Sequence, residues 1–264
     1  MRLKDKVALV LGAAGKDNMA QVIARRLAAE GCKVVVAGRH EEVLKQLAEE
    51  LGGAYALADI TSKADVDAAA DLAVARFGKL DIGVNATGWG LLKPTHDTTE
   101  ADLDRMLGIQ FKGPFFFIQA MLRAMKNGGS IIQISSATAT IMLDQHAAYM
   151  GSKAGIDHVI RTVANEYGAQ GIRANSISPG LTETPMAGST FEIPELLHAF
   201  EREYPLGRVG TKEDIAAAVV WLASDECFMT GQNLQVNGGL TLRRNPSLSE
   251  LGEIAAKATA HLRS

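Results

Sequence analysis

Tyr149 and Lys153 lie four residues apart in the segment Ala147-Ala-Tyr-Met-Gly-Ser-Lys-Ala-Gly155. On a helix, that spacing stacks the two side chains on one face. A phenol, with a pKa of about 10, gives up its proton reluctantly at neutral pH. An ammonium held beside it favours the phenolate and lowers that value, which makes the pair a candidate general acid and base. A solvated helix face can carry the same spacing, so the neighbouring sequence has to decide. Thirteen residues before Tyr149 stands Ser136, at the end of the apolar run Ser130-Ile-Ile-Gln-Ile-Ser-Ser136. That run reads as a buried strand finishing in hydroxyls. Such a strand end would deliver a hydroxyl beside the Tyr149 helix.

The elements that must position these groups are legible along the chain. With 264 residues and 47% hydrophobic content, one α/β domain spanning 1–264 is the economical reading. No apolar run approaches the roughly 18 residues of a membrane span. The N-terminus enters a strand directly, so no signal peptide is expected. A net charge of -3 without a basic block argues against nucleic acid as a partner. Cys32 and Cys227 lack metal-ligand spacing, so no metal is expected, and they suit a reducing, cytoplasmic location.

A strand at 6–11, Gly12, a helix at 19–30 closed by Gly31, and a strand at 33–37 form the start of a βαβ unit. Such a unit binds a dinucleotide at the helix N-terminus. Gly12 permits a tight turn and close backbone approach. Asn18 suits the N-cap, and Ala20 is small enough for close packing. Lys16 either reaches a phosphate or is a solvated loop lysine. Gly38-Arg39 follows the second strand where an acid would hydrogen-bond a ribose 2′-hydroxyl. An arginine there accommodates a 2′-phosphate instead. The cofactor expected is NADP(H), with NAD(H) as the alternative; in the plainer reading, Arg39 only opens the helix at 41–51.

Further strands are expected at 54–58, 80–84 and 171–178, and a closing one within 230–239. Helices are expected at 62–77, 99–106, 112–125, from Tyr149 to about residue 170, and at 212–224. Residues 137–148 read as a loop, and His146 within it is either a substrate contact or a solvated side chain. Trp89 is either a pocket wall or a core aromatic. Residues 185–205 lack a strong period and read as a substrate lid that includes Met186. Residues 240–264 form a helical C-terminal extension, which must dock on its own body or on a neighbour, because an isolated helix is marginal in water.

The Ser136, Tyr149 and Lys153 set, with this order of elements, resembles the short-chain dehydrogenase/reductase family over almost the whole chain. The resemblance implies a Rossmann-type doubly wound parallel sheet of about seven strands with helices on both faces. Leu11-Gly-Ala-Ala-Gly-Lys-Asp-Asn-Met-Ala20 departs from the family's common T-G-x-x-x-G-x-G. It is more similar to the G-x-x-x-x-x-S-I-A loop of the enoyl reductases, with Asn18, Met19 and Ala20 in place of S-I-A. By the same resemblance, Asp59 accepts from the adenine amine and Ile60 flanks the ring. Asn85 and Ala86, in Asn85-Ala-Thr-Gly88, pass beside the cofactor ribose. Gln110 occupies the position of an asparagine that holds a proton-relay water. Pro179, Gly180, Thr182 and Thr184 match P-G-x-x-x-T beside the nicotinamide. Lys153 would bond the nicotinamide ribose.

The activity implied is hydride exchange between NADP(H) and a moderately apolar secondary alcohol or ketone, with Ser136, Tyr149, Lys153 and Gln110 as the catalytic set. An enoyl reductase is a rival reading, but members of that kind space tyrosine and lysine seven apart. A nucleotide-binding protein with little turnover is another, disfavoured by the presence of all three of Ser136, Tyr149 and Lys153. The family also implies a homotetramer, or a homodimer, with 112–125 (Phe115, Phe116, Phe117, Ile118) and the Tyr149 helix (Ile156, Val159, Ile160) facing symmetry mates.

Overall fold

Strand β1 (Val7–Leu11) is Val-Ala-Leu-Val-Leu, buried at every position. A strand apolar on both faces belongs in the middle of a parallel sheet covered on both sides. The computed structural model, which describes residues 1–184 and 190–261, places it there. Strands β2 (Lys33–Gly38) and β4 (Ile82–Asn85) flank it, in parallel, with Leu9 opposite both Val35 and Gly83. With β3 (Ala54–Leu57), β5 (Gly129–Ile134), β6 (Ile172–Pro179) and β7 (Asn233–Val236), the sheet has seven strands in the order β3-β2-β1-β4-β5-β6-β7. Every pairing is parallel. The sheet grows outward in both directions from the β1–β4 pair, so a crevice opens at the strands' C-terminal ends.

Period-two alternation divides the core between the two faces. Ala8, Val10, Val34, Val36, Ile132 and Ile134 pack beneath α1 (Met19–Ala29), α2 (Glu41–Leu51) and α8 (Lys212–Ala223), which contribute Ile23, Leu27, Leu44 and Val219. Val7, Leu9, Leu11, Val35 and Ile131 face α3 (Lys63–Phe77), α5 (Gly113–Ala124) and α6 (Ala147–Tyr167), which contribute Val66, Phe117, Met121 and Ile156. Among the described residues no helix is long and apolar enough to cross a membrane. Asn18 caps α1 by accepting from the Gln21 N–H at 3.0 Å. Thr99 and Asp102 form a reciprocal capping box on α4 (Glu100–Leu107), as Thr211 and Asp214 do on α8. Caps of this kind contribute about 1 kcal/mol each.

Three departures from the sequence reading bear on the site. The helices expected at 99–106 and 112–125 are joined by a π-helical run, Gly108–Lys112, with Gln110 buried at its centre. Single turns of this kind are frequent at functional sites. The extension is not one helix: a 3₁₀ turn at Leu240–Leu242 is followed by an irregular stretch and then by α9 (Leu248–His261). Pro246 explains the break, because proline pushes the residue before it out of the α region. Ser247 and Glu250 restart the helix by bonding each other's backbone N–H or side chain. Within 185–205, residues 194–201 form α7 (Pro194–Glu201), whereas Met186 lies outside the described residues.

Candidate active site

The end of β5 and the first turns of α6 build the floor. Ser135 is pinned by its N–H to the Ile177 carbonyl of β6 at 2.7 Å. Ser136 leaves the strand there, its hydroxyl accepting from the Thr138 N–H at 3.2 Å and sharing a hydrogen bond with the Thr138 hydroxyl at 2.8 Å. Tyr149 and Lys153 rise from α6 beneath it, both buried. Lys153 Nζ donates to the Ile134 carbonyl at 2.9 Å and lies 5.5 Å from the centroid of the Tyr149 ring. One turn further, Asp157 accepts from the Ser135 hydroxyl at 2.8 Å and from the Asn233 amide. Tyr149, Lys153 and Asp157 thus form one row at intervals of four. That spacing was in the sequence, and the reading missed Asp157.

Burial decides the acid–base balance in the free protein. It pulls Lys153 down to about 8 against the opposing charge of Asp157. It pushes the Tyr149 phenol up to about 12, against the Ser136 hydroxyl that favours the phenolate. The sequence reading had Lys153 lowering the phenol; in the free chain burial dominates and the opposing pull comes from the Ser136 hydroxyl, because an apolar surrounding penalises either charge. The same burial holds the Asp157 carboxyl above its ordinary value, with the Ser135 hydroxyl opposing the shift.

Above this floor runs a cleft of about 1190 Å³ along the C-terminal ends of the strands. Gly12, Asn18 and Met19 line one end of it. Gly12 has φ 107, and a Cβ there would lie 2.9 Å from the Ala86 carbonyl carbon, so only glycine lets the two backbones meet. Asn18 closes the loop by donating from Nδ2 to the Gly12 carbonyl at 2.7 Å. Arg39, Asp59 and Ile60 line the same end, with Arg39 Nη1 3.9 Å from the Asp59 carboxylate and most of its side chain exposed. Ala86, Pro179, Gly180, Thr182 and Thr184 line the middle.

Three of the residues singled out lie elsewhere. Lys16 is exposed and off the cleft. Asn85 is fully buried below it, donating to Gln133 Oε1 at 2.9 Å and accepting from the N–H and hydroxyl of Thr87, so it shapes the turn that carries Ala86. Gln110 donates from Nε2 to the Trp89 carbonyl at 3.0 Å, and its Oε1 is buried without a hydrogen-bond partner.

The other end of the cleft is mostly apolar. Trp89 lines it, with the Arg105 guanidinium 4.0 Å from its ring centroid. His146 lines it too, buried, its ring 4.3 Å from that of Tyr149. Nδ1 of His146 lies 2.8 Å from the Leu91 carbonyl, which requires that nitrogen to carry the proton. Burial lowers the His146 pKa, so the ring is a neutral wall beside the phenol. The sequence reading left His146 open between contact and solvation; no periodicity marks a loop residue that packs on the Tyr149 ring.

A dinucleotide fits this end-to-end arrangement. Gly12, Asn18 and Met19 at the start of α1 would hold its pyrophosphate, Asp59 and Ile60 its adenine, and Thr182 and Thr184 its nicotinamide half. The backbone approach of Gly12 to Ala86 leaves the space that a side chain would fill.

Comparison with known proteins agrees with this geometry. The family model described as enoyl-(acyl carrier protein) reductase matches residues 12–241. A D-threitol dehydrogenase of Mycolicibacterium smegmatis is 37% identical over 250 residues, covering 92% of this chain and 95% of its own. A 3beta-hydroxysteroid dehydrogenase of Eggerthella lenta is 37% identical, covering 91% of this chain and 95% of its own. Among solved structures, a gluconate 5-dehydrogenase from Burkholderia cenocepacia in complex with NADP and tartrate superposes with a TM-score of 0.86 at 29% identity, covering 91% of this chain and 97% of its own.

Proposed function

The chain belongs to the short-chain dehydrogenase/reductase family and is an NAD(P)-dependent alcohol dehydrogenase or ketone reductase; from that premise we propose that it works with NADP(H) on a moderately apolar secondary alcohol or its ketone. The observation that carries the reading is the buried row of Tyr149 and Lys153 at the cleft floor, with the Ser136 hydroxyl over it. The four-residue spacing of tyrosine and lysine favours C=O over C=C as the reacting bond.

When bound, the nicotinamide supplies the hydride chemistry. The chain supplies the proton. Tyr149 Oη takes the proton of the substrate hydroxyl in oxidation and returns it to the carbonyl oxygen in reduction. Ser136 donates to that oxygen while it carries charge. Lys153, held on the Ile134 carbonyl, places a cation near the phenol and favours its ionised form as substrate and cofactor close the site. Gln110 supports the wall through Trp89, and the described residues 190–205 of the expected lid lie on the substrate side of the cleft, with Thr190, Leu196 and Phe200 lining it.

NADP(H) is assigned on Arg39. The end of β2 offers Gly38-Arg39 and no carboxylate; Asp59 Oδ1 accepts from the Thr61 N–H and hydroxyl at 2.8 and 2.7 Å, and its Oδ2 lies 3.9 Å from Arg39 Nη1. The mostly exposed guanidinium can turn from this long contact to grip a 2′-phosphate in a bidentate manner. Arg39→Ala is expected to raise the Kd for NADPH at least tenfold while changing that for NADH far less. Fluorescence titration with both cofactors checks this, and tighter binding of NADH by the unaltered chain would reverse the assignment.

The protein is also proposed to be a cytoplasmic homo-oligomer, a tetramer or a dimer. Of the residues first considered for its interface, Phe117, Ile118, Ile156 and Ile160 are buried in this chain's own core. Phe115 is exposed and Phe116 and Val159 are half-buried, and Leu103 and Leu107 of α4 are exposed as well. Sedimentation at low micromolar concentration is expected to show a species larger than the monomer, shifting toward monomer in Phe115→Asp. A sharp monomer from the unaltered chain would exclude the oligomer.

A further inference from the structure

Residues beyond 241 lie outside the span that the family model matches, yet they reach the reaction site. Leu248 and Leu251 of α9 line the same cleft as Tyr149 and Lys153. Their spacing of three places both on one helix face. Leu251 also packs against the small cluster formed by Ala137, Phe200, Tyr204 and Leu240, which joins the end of the Ser136 turn to α7.

The segment before α9 is fastened on both sides of the cleft. On the loop leading to Tyr149, Asn245 Nδ2 donates to the Met142 carbonyl at 2.9 Å, and the Leu248 N–H donates to the Asp144 carboxylate at 3.1 Å. On the other side, Arg243 donates to the Arg202 carbonyl at 2.6 Å, just past α7, and Arg244 lies 3.6 Å from Glu203. Arg244 also makes a bidentate pair with Glu250 at 2.7 Å, which locks the start of α9 in place. Each of these exposed pairs is weak alone. Together they fix one register of α9, the one that turns Leu248 and Leu251 toward the active site.

We propose that Leu248 and Leu251 complete the apolar wall of the substrate pocket and set its preference for a bulky, ring-bearing secondary alcohol or ketone over a small one. This rests on the alcohol-dehydrogenase reading and adds a size and polarity class to it. Both leucines are only half-buried in the free chain, so apolar surface is left for the body of a substrate to cover. Trp89, Leu143 and Phe200 line the same cleft. The carbinol would point down to Tyr149 and the ring system up against α9.

The test compares 2-decalol with 2-propanol as substrates. Removing both side chains in Leu248→Ala/Leu251→Ala is expected to lower the ratio of kcat/KM for 2-decalol to that for 2-propanol by about tenfold or more, the loss that two half-covered leucines imply. Leu251→Trp, which fills the pocket instead of emptying it and keeps α9 apolar, is expected to lower the same ratio. An unchanged ratio in both folded variants overturns the proposal. If the intact chain oxidises neither alcohol, it is the alcohol reading that fails, and calorimetric titration of 2-decalone in the presence of NADPH then decides the wall. Binding to the intact chain that is weakened about tenfold in the double variant upholds it; no binding to the intact chain overturns it.

Discussion

Tyr149→Phe is expected to leave a folded protein whose turnover of a secondary alcohol falls by roughly 10²–10⁴-fold, the range for loss of a positioned general acid or base. The substitution removes one oxygen and little else. The ring stays buried and keeps its contact with His146 at 4.3 Å between centroids. Lys153 keeps its bond to the Ile134 carbonyl, which does not involve the phenol. What is lost is the group proposed to exchange a proton with the substrate oxygen; neither the Ser136 hydroxyl nor the neutral His146 ring is held where Tyr149 Oη would be. Unfolding curves matching the wild type, with kcat/KM down by this factor, are the expected pair of results. Turnover near the wild-type value in the folded variant would remove Tyr149 from the mechanism.

Lys153→Met is expected to abolish activity to a similar degree while making the protein more stable. A lysine pulled from 10.5 to about 8 by complete burial costs the folded state about 3 kcal/mol at neutral pH. Methionine fills similar volume without a charge to desolvate. Against this gain stands the lost hydrogen bond to the Ile134 carbonyl, at about 1 kcal/mol, although that oxygen keeps the Gln133 amide donor at 2.8 Å. The melting temperature should therefore rise by several degrees. The pH dependence gives a second check. Between about 8 and 10.5 the unfolded lysine holds a proton that the folded one has released. Stability should accordingly climb through that window in the wild type and lack that component in Lys153→Met. Urea midpoints at both ends of the window measure it. A variant less stable than the wild type would show that the buried cation is a structural support and not a functional cost.

The sheet was legible because its signal is local and strong. The Val-Ala-Leu-Val-Leu and Lys-Val-Val-Val-Ala runs can only be covered parallel strands when a glycine loop and a helix separate them. The Tyr149–Lys153 pair was legible for the same reason, since a spacing of four is a contact on any helix. What sequence could not supply was the contacts made across long separations. The Asn85 side chain turned out to brace a turn through Gln133, and Gln110 to sit in a π-helical run bonded to Trp89. The role of 240–264 depended on partners about a hundred residues away, Met142 and Asp144. Periodicity shows that Leu248 and Leu251 share a face; it does not say what that face meets. The balance of the phenol and the ammonium was likewise beyond the motif, because it is set by burial, which is a property of the folded chain.

The most direct test of the central claim follows nicotinamide absorbance while the purified chain is offered a panel of cyclic and acyclic secondary alcohols with NADP⁺ or NAD⁺, and the corresponding ketones with the reduced cofactors. The proposed function predicts reversible turnover, faster with NADP(H) and with ring-bearing apolar substrates. No turnover of any alcohol or ketone with either cofactor, alongside reduction of an enoyl thioester C=C bond, would contradict it.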